Sequence, residues 1–208
     1  MTKRKLRYVS NDTFNSFDTR KRNHFVNSLS GVKSANLIGT ISPTNQTNLS
    51  IVSSAFHLGS SPALMGMIIR PDISPRHTLD NIRLEKYFTL NHVNEDIYEK
   101  AHQTSARYPR EVSEFNSCGL TEQYLNDFRA PFVEEANIKL SMELVREVPI
   151  IENGTHLLIS KILGVWLPDL ALEEDGQINV LEAGTVCVTG LDCYHTLSKL
   201  QRLPYAKP

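Results

Sequence analysis

The chain has 208 residues, 40% hydrophobic and 22% charged, and its 22 Lys and Arg nearly balance 23 Asp and Glu. At roughly 150 residues per domain this is one domain with extensions or at most two small ones, large enough to keep a core without disulfide or metal. A formal net charge of −1 argues against a dedicated nucleic-acid binder, and the composition excludes collagen-like, coiled-coil and wholly disordered classes.

The near-neutral total hides a division. Residues 1–33 carry eight Lys or Arg and two Asp, a net of +6, whereas the rest carries 14 against 21, a net of −7. Residues 1–22 read as a basic amino-terminal arm ahead of a body spanning 23–208. The arm can touch phosphate or RNA, or lie as a solvated strap across an acidic body or subunit. No window reaches ~18 consecutive apolar residues and no apolar run follows the basic start, so neither a membrane span nor a signal peptide is expected. Cys118, Cys187 and Cys193 are odd in number and lack C-x-x-C spacing. They fit neither a disulfide framework nor a zinc site, and a reduced cytoplasm suits them best.

In chain order, Ala35–Ile41 and Asn48–Val52 flank the polar segment Pro43-Thr44-Asn45-Gln46-Thr47, the pattern of a hairpin. Ala63–Ile69 is an apolar strand stopped by Pro71. Helices are expected over 78–86, 94–106 and 121–129, opened by Thr78, Asn94 and Thr121 as caps. The strict alternation of Ile138–Leu144 predicts a strand with one face on a core. Asn153-Gly154 is the dipeptide of a two-residue hairpin turn, and Thr155–Leu167 is its long return strand. Asp175-Gly176 signals another turn before Ile178–Leu181. Strands separated by turns, with helices between only some of them, argue an antiparallel sheet or barrel with helical insertions.

The sequence holds no H-E-x-x-H, G-x-G-x-x-G, Walker loop or G-x-S-x-G, so the commonest motif-based enzyme assignments fail. Its seven histidines form no pair with ligand spacing, and no metal is expected. Three segments could carry chemistry. In Asn48–Phe56, the consecutive Ser53 and Ser54, followed by Ala55, could offer backbone N–H groups to a flat polar-edged ligand, or could simply make a turn. In Arg70–Ile82, two prolines stiffen a loop delivering Arg76, His77 and Thr78 to a helix start, either a phosphate cradle or an ordinary Thr cap with basic neighbours. In Lys100–Arg107, Lys100, His102, Thr104 and Ser105 could finish a phosphate or ribityl site, or form a solvated helix end.

Taken in order, Asn27-Ser28-Leu29-Ser30-Gly31 to Gly39-Thr40, Leu58-Gly59-Ser60-Ser61-Pro62-Ala63-Leu64, Arg76-His77-Thr78 to Asn81-Ile82 and Thr89-Leu90-Asn91 resemble the flavin reductase-like family, to which flavoredoxin is related. The resemblance spans about residues 25–165. It implies a mainly β fold, a six-stranded antiparallel Greek-key split barrel, assembled as a homodimer with FMN near the subunit interface. By similarity, Ser53, Ser54 and Ala55 would face the isoalloxazine edge and Arg76, His77 and Thr78 would take the phosphate. Thr104 and Ser105, with Lys100 and His102 nearby, would complete the phosphate site or the dimer-side wall.

The implied activity is an FMN-dependent oxidoreductase using NADH or NADPH, in the cytoplasm, with no nucleic acid or membrane partner. Flavin accepts the hydride itself, so no side chain is nominated as general acid or base. Tyr194, His195 and Arg202 could approach the flavin or pack at the interface. A non-catalytic FMN-binding protein would use the same loops. A pyridoxamine phosphate oxidase-like enzyme ranks lower, because no second set of basic residues suits another phosphorylated substrate. A third alternative is a barrel-based module binding RNA through the arm.

Overall fold

The computed structural model describes residues 4–71 and 75–207. Met1-Thr2-Lys3 of the basic start, Asp72-Ile73-Ser74 of the proline-stiffened loop and Pro208 lie outside the described residues.

Two short helices open the chain, α1 (Asn11–Asn15) and α2 (Thr19–Ser28), capped by Ser10 and Asp18, whose side chains accept from the Thr13 and Lys21 N–H groups. Helix α2 runs across position 22, where the sequence suggested the arm would end. A short strand β1 (Lys33–Ser34) leads into the expected hairpin, β2 (Asn36–Ile41) and β3 (Thr47–Val52). After Ser53 and Ser54 comes a second hairpin, β4 (Ala55–Ser60) and β5 (Ala63–Ile69), turning at a cis Ser61–Pro62 bond. Then follow α3 (His77–Glu85), β6 (Tyr87–His92), α4 (Tyr98–Gln103), α5 (Glu114–Cys118) and the small pair β7 (Glu122–Gln123) and β8 (Phe132–Val133). The long hairpin β9 (Lys139–Ile150) and β10 (Thr155–Trp166) precedes the short strands β11 (Cys187–Thr189) and β12 (Cys193–His195).

Seven strands form one antiparallel sheet in the order β3-β2-β6-β9-β10-β5-β4. Its outermost members, β3 and β4, are separated in the chain by only Ser53 and Ser54. Two residues span at most ~7 Å, so the sheet must roll until its edges come together at that bend. Beyond the bend β3 and β4 do not pair, and the result is a split barrel. Counting β3 and β4 as one bent strand returns the six strands that the resemblance implies.

Alternation along the strands divides the core into two parts. On β2, Ile38 joins Met67, Leu79, Phe88, Leu140 and Leu158 in the barrel cluster. Its neighbour Leu37 joins Leu49, Val93, Ile97 and Phe115 in a second cluster, against which α4 and α5 pack. Helix α3 is fastened to the β9–β10 hairpin by charge: Arg83 donates twice to the Glu147 carboxylate, at 2.9 and 2.6 Å, and His156 Nδ1 lies 2.6 Å from the same group. The Arg83 guanidinium holds the Glu147 carboxyl below its ordinary range.

Four expectations differ from the structure. The predicted helix over 121–129 is absent, because Asn126 and Asp127 sit at φ 50° and 55°, a left-handed conformation that no α-helix admits. A shorter helix, α5, lies just upstream and ends at Gly119 in the same left-handed region. The helix expected over 94–106 is confined to α4, since the Asn94 side chain accepts from the Asp96 N–H in a turn and Asn94 bridges Thr185. The β9–β10 connection is a four-residue turn, because Ile150 pairs with Thr155, and Ile178–Leu181 contributes only a single bridge to Leu172.

Burial pushes the His92 imidazole down to about 4. Since its folded value lies below the ordinary ~6.5, the unfolded chain binds the proton first, and stability falls as pH drops from that value toward the folded one. Urea unfolding should show a loss of about 1 kcal/mol between pH 7 and ~5.5 from this residue. His92→Asn should flatten that limb; an unchanged slope would show that the ring is protonated without cost.

Candidate active site

The bend between β3 and β4 is held open from both sides. Ser54 accepts from the Ile68 N–H through its carbonyl (3.3 Å) and donates its hydroxyl to the Ile68 carbonyl at 2.6 Å. Ser34 donates to the Ala55 carbonyl at 3.1 Å, and Asn36 supports Ser34 at 2.9 Å. These bonds use the Ser54 and Ala55 carbonyl groups. The backbone N–H groups of Ser53 and Ser54 have no hydrogen-bond partner among the described residues. Both residues are half-buried, and these donors are left to solvent or a ligand. The turn is therefore a donor surface.

Strand β3 is an edge, and α5 fixes it. The Leu49 N–H donates to the buried Glu114 carboxylate at 2.9 Å. The Thr47 hydroxyl reaches Glu122 at 2.6 Å and lies 2.8 Å from the Ser113 hydroxyl. Desolvation raises the Glu114 pKa, partly offset by the Leu49 N–H.

Helix α3 meets the opposite face of β3. The Thr78 hydroxyl accepts from the Asn48 amide at 2.9 Å and sits 2.9 Å from the Ser50 hydroxyl. Thr78 is thus not the cap: the helix begins at His77, with Arg76 at the N-cap position making no side-chain cap bond of its own. Arg76 donates its Nε to the Pro71 carbonyl at 3.0 Å. Arg110 pairs with Asp80 across the helix start. Burial, followed by the Arg110 charge, lowers the His77 pKa. First-turn N–H groups, a guanidinium and the helix dipole favour an anion here.

The structure brings the Ser53–Ser54 bend and the Arg76–Thr78 segment together through β3, but not the third segment. Leu49 and Ile51 of β3 pack in the second cluster with Ala101 of α4, whereas Val52 packs on the barrel cluster. Helix α4 therefore lies on the face of β3 turned away from Thr78. Lys100 donates to the Gly119 carbonyl, and His102 meets the Tyr194 hydroxyl at 3.1 Å. Thr104 is buried and donates its hydroxyl to the Ala101 carbonyl at 2.7 Å, which closes the helix end and removes it from the cradle. Ser105 is exposed beyond that end. Tyr194 packs with Tyr98 and His102, His195 bonds Thr189, and Arg202 is tied to Glu173 and Asp175. Arg202 therefore belongs to the tail. Glu114 and Arg110 contact this region from segments the sequence did not single out, and Asn48 and Ser50 lie in a segment it did single out but without a role for them.

A family model for the flavin reductase like domain matches residues 30–186. The chain belongs to the flavin reductase-like family. Its fold superposes with a TM-score of 0.94 on a candidate flavin reductase with split barrel domain from Shewanella frigidimarina, 53% identical, covering 97% of this chain and 100% of that one. Nitrilotriacetate monooxygenase component B from Bacillus cereus is 18% identical with a TM-score of 0.83, covering 97% and 100%. The FMN-binding protein from Thermus thermophilus is 15% identical with a TM-score of 0.68, covering 98% and 100%. The last two likenesses concern the fold alone. In this flavin reductase-like chain, no helix of the described residues is long and apolar enough to cross a membrane.

Proposed function

We propose that this chain binds FMN at the Ser53–Ser54 bend and serves as a reductase that takes hydride from NADH or NADPH. The observation that carries the proposal is the pair of backbone donors at the bend without a partner among the described residues, three residues along the chain from Ser50, whose hydroxyl lies 2.9 Å from that of Thr78 in the first turn of α3. The donors suit the carbonyl edge of an isoalloxazine, and the helix start suits a phosphate monoester. Family membership supports flavin, and the fold's occurrence in an FMN-binding protein supports the mononucleotide.

Flavin, when bound, supplies the hydride-accepting chemistry itself. The chain's part is placement. The Ser53 and Ser54 N–H groups donate to the ring edge and favour negative charge there. Arg76, His77 and the first-turn N–H groups hold the phosphate. Asn48 and Ser50, bonded to Thr78, fix the helix against β3 so that the two halves of the site keep their spacing. Lys100, His102 and Ser105 are assigned to the dimer-side wall, in a homodimer acting in a reducing cytoplasm.

The test is an absorbance spectrum after adding FMN and removing the excess, followed by NADH or NADPH under anaerobic conditions. Retained flavin that bleaches rapidly supports a reductase. Retained flavin that stays yellow for many minutes supports the non-catalytic FMN-binding protein instead. A colourless protein sinks both.

A further inference from the structure

The basic arm is not a bare strap. Helices α1 and α2 pack three phenylalanine rings together: Phe14 stacks on Phe25 at 5.6 Å and Phe17 meets Phe25 edge-on at 5.8 Å. Beside them runs a groove of about 510 Å³, lined among others by Arg7, Phe17, Lys21, His24, Phe25 and Ser28. That volume is within the usual range for a small-molecule site. Lys21 holds its ammonium 4.1 Å over the Phe17 ring, and neither it nor Arg7 pairs with a carboxylate among the described residues. Flat rings combined with unneutralised cations match a planar ligand that carries negative charge.

The groove connects to the bend. Ser28, on its wall, packs so closely on Gly190 that a Cβ there would lie 3.1 Å from its hydroxyl. Lys33 donates to the Gly190 carbonyl at 2.8 Å. It precedes Ser34, which holds the Ala55 carbonyl of the bend. Arg70 stands two residues beyond Ile68, the partner of Ser54. Burial and the nearby Arg70 charge lower the Lys33 pKa, and neither cation has an ion-pair partner among the described residues. A contact track thus runs from the bend through Ser34 and Lys33 to Gly190 and Ser28 on the wall of the ringed groove, with the Lys33 ammonium along it.

We infer that the arm groove is the subsite for the adenylate end of the pyridine dinucleotide, with Lys33 and Arg70 on its diphosphate. The inference rests on the placement of flavin at the bend, which puts the nicotinamide at the near end of the track. It gives the basic arm a small-molecule occupant rather than a nucleic acid.

The probe is ADP-ribose, which carries the adenylate and diphosphate but no nicotinamide, titrated calorimetrically into FMN-loaded protein. It should bind. Arg7→Ala with Lys21→Ala, and separately Lys33→Ala, should each weaken it by about tenfold or more, as expected for lost charged contacts, with FMN affinity unchanged. Protein that binds FMN but not ADP-ribose at millimolar concentration, or variants that bind it like the wild type, would overturn the assignment. So would inorganic diphosphate binding equally well, since the rings would then contribute nothing. ADP-ribose binding without any FMN binding would instead refute the flavin placement and leave the groove standing.

Discussion

Gly39→Ala should be among the most destabilising single-methyl additions in this chain, costing about 3–5 kcal/mol. A Cβ at Gly39 would lie 2.1 Å from the Pro131 carbonyl oxygen and 2.5 Å from the Thr89 hydroxyl. Overpacking a core typically costs ~1–3 kcal/mol when neighbours can yield. Here the nearest neighbour is backbone, and the Thr89 hydroxyl already donates to that same carbonyl at 2.6 Å in a fully buried position. Moving either group breaks this bond and orphans a buried acceptor, a further ~1–3 kcal/mol. For a chain of this length the midpoint should fall by roughly 6–20 °C. Thermal unfolding of the variant checks it, and a shift of a degree or two would mean that the 131–133 segment is looser than the contacts indicate. By contrast, Gly66→Ala meets only the Phe56 ring, a half-exposed side chain that can swing away, and should cost far less.

The same contacts explain what the sequence motifs meant. Gly39, Thr40, Asn81, Thr89 and Asn91 all belong to the stretches that resemble the flavin reductase-like family, and each has a scaffold contact, although the buried Asn81 Oδ1 has no partner among the described residues. Asn91 donates to the Leu37 carbonyl and to Thr89, and accepts from the Val133 N–H. Asn81 of α3 donates to Thr40 of β2. These residues clamp the 131–133 segment and α3 onto the barrel wall, so the resemblance registers a scaffold, and the scaffold then positions the bend.

Strand β9 was legible because Leu140, Met142 and Leu144 alternate inward in the segment whose periodicity predicts it. The 121–129 segment was not, since its turn depends on left-handed Asn126 and Asp127, which polar helical patterning does not reveal. Helices α1 and α2 carry their caps in plain sight, Ser10 and Asp18, but bury no residue. They therefore leave no apolar stripe to read. Within the site, Ser53, Ser54 and Arg76–Thr78 stood out as local clusters. Glu114 could not, because its partner Leu49 is 65 positions away, and only the packing of α5 on an edge strand brings them together.

Arg76→Ala should weaken FMN binding by about 1.5–3 kcal/mol, the range for a hydrogen bond to a charged group, or roughly 10- to 150-fold in Kd. The argument turns on where this side chain stands. It occupies the N-cap position of α3 without bonding the first turn through its own side chain, and its Nε bond to the Pro71 carbonyl fixes the plane of the guanidinium. An anion entering there gains the helix dipole, the open N–H groups and a preoriented cation at once. Thr78→Val should behave differently, because it strips a partner from the buried Asn48 amide and from Ser50, and so lowers stability by about 1–3 kcal/mol before any ligand is considered. Fluorescence titration with FMN, alongside thermal unfolding of both variants, separates the two roles. Arg76→Ala should lose affinity, and the salt dependence of binding should become shallower, while the fold is kept. Wild-type affinity in that variant would mean that the phosphate is held elsewhere, and the cluster of Arg76, His77 and Thr78 would then serve only to start α3.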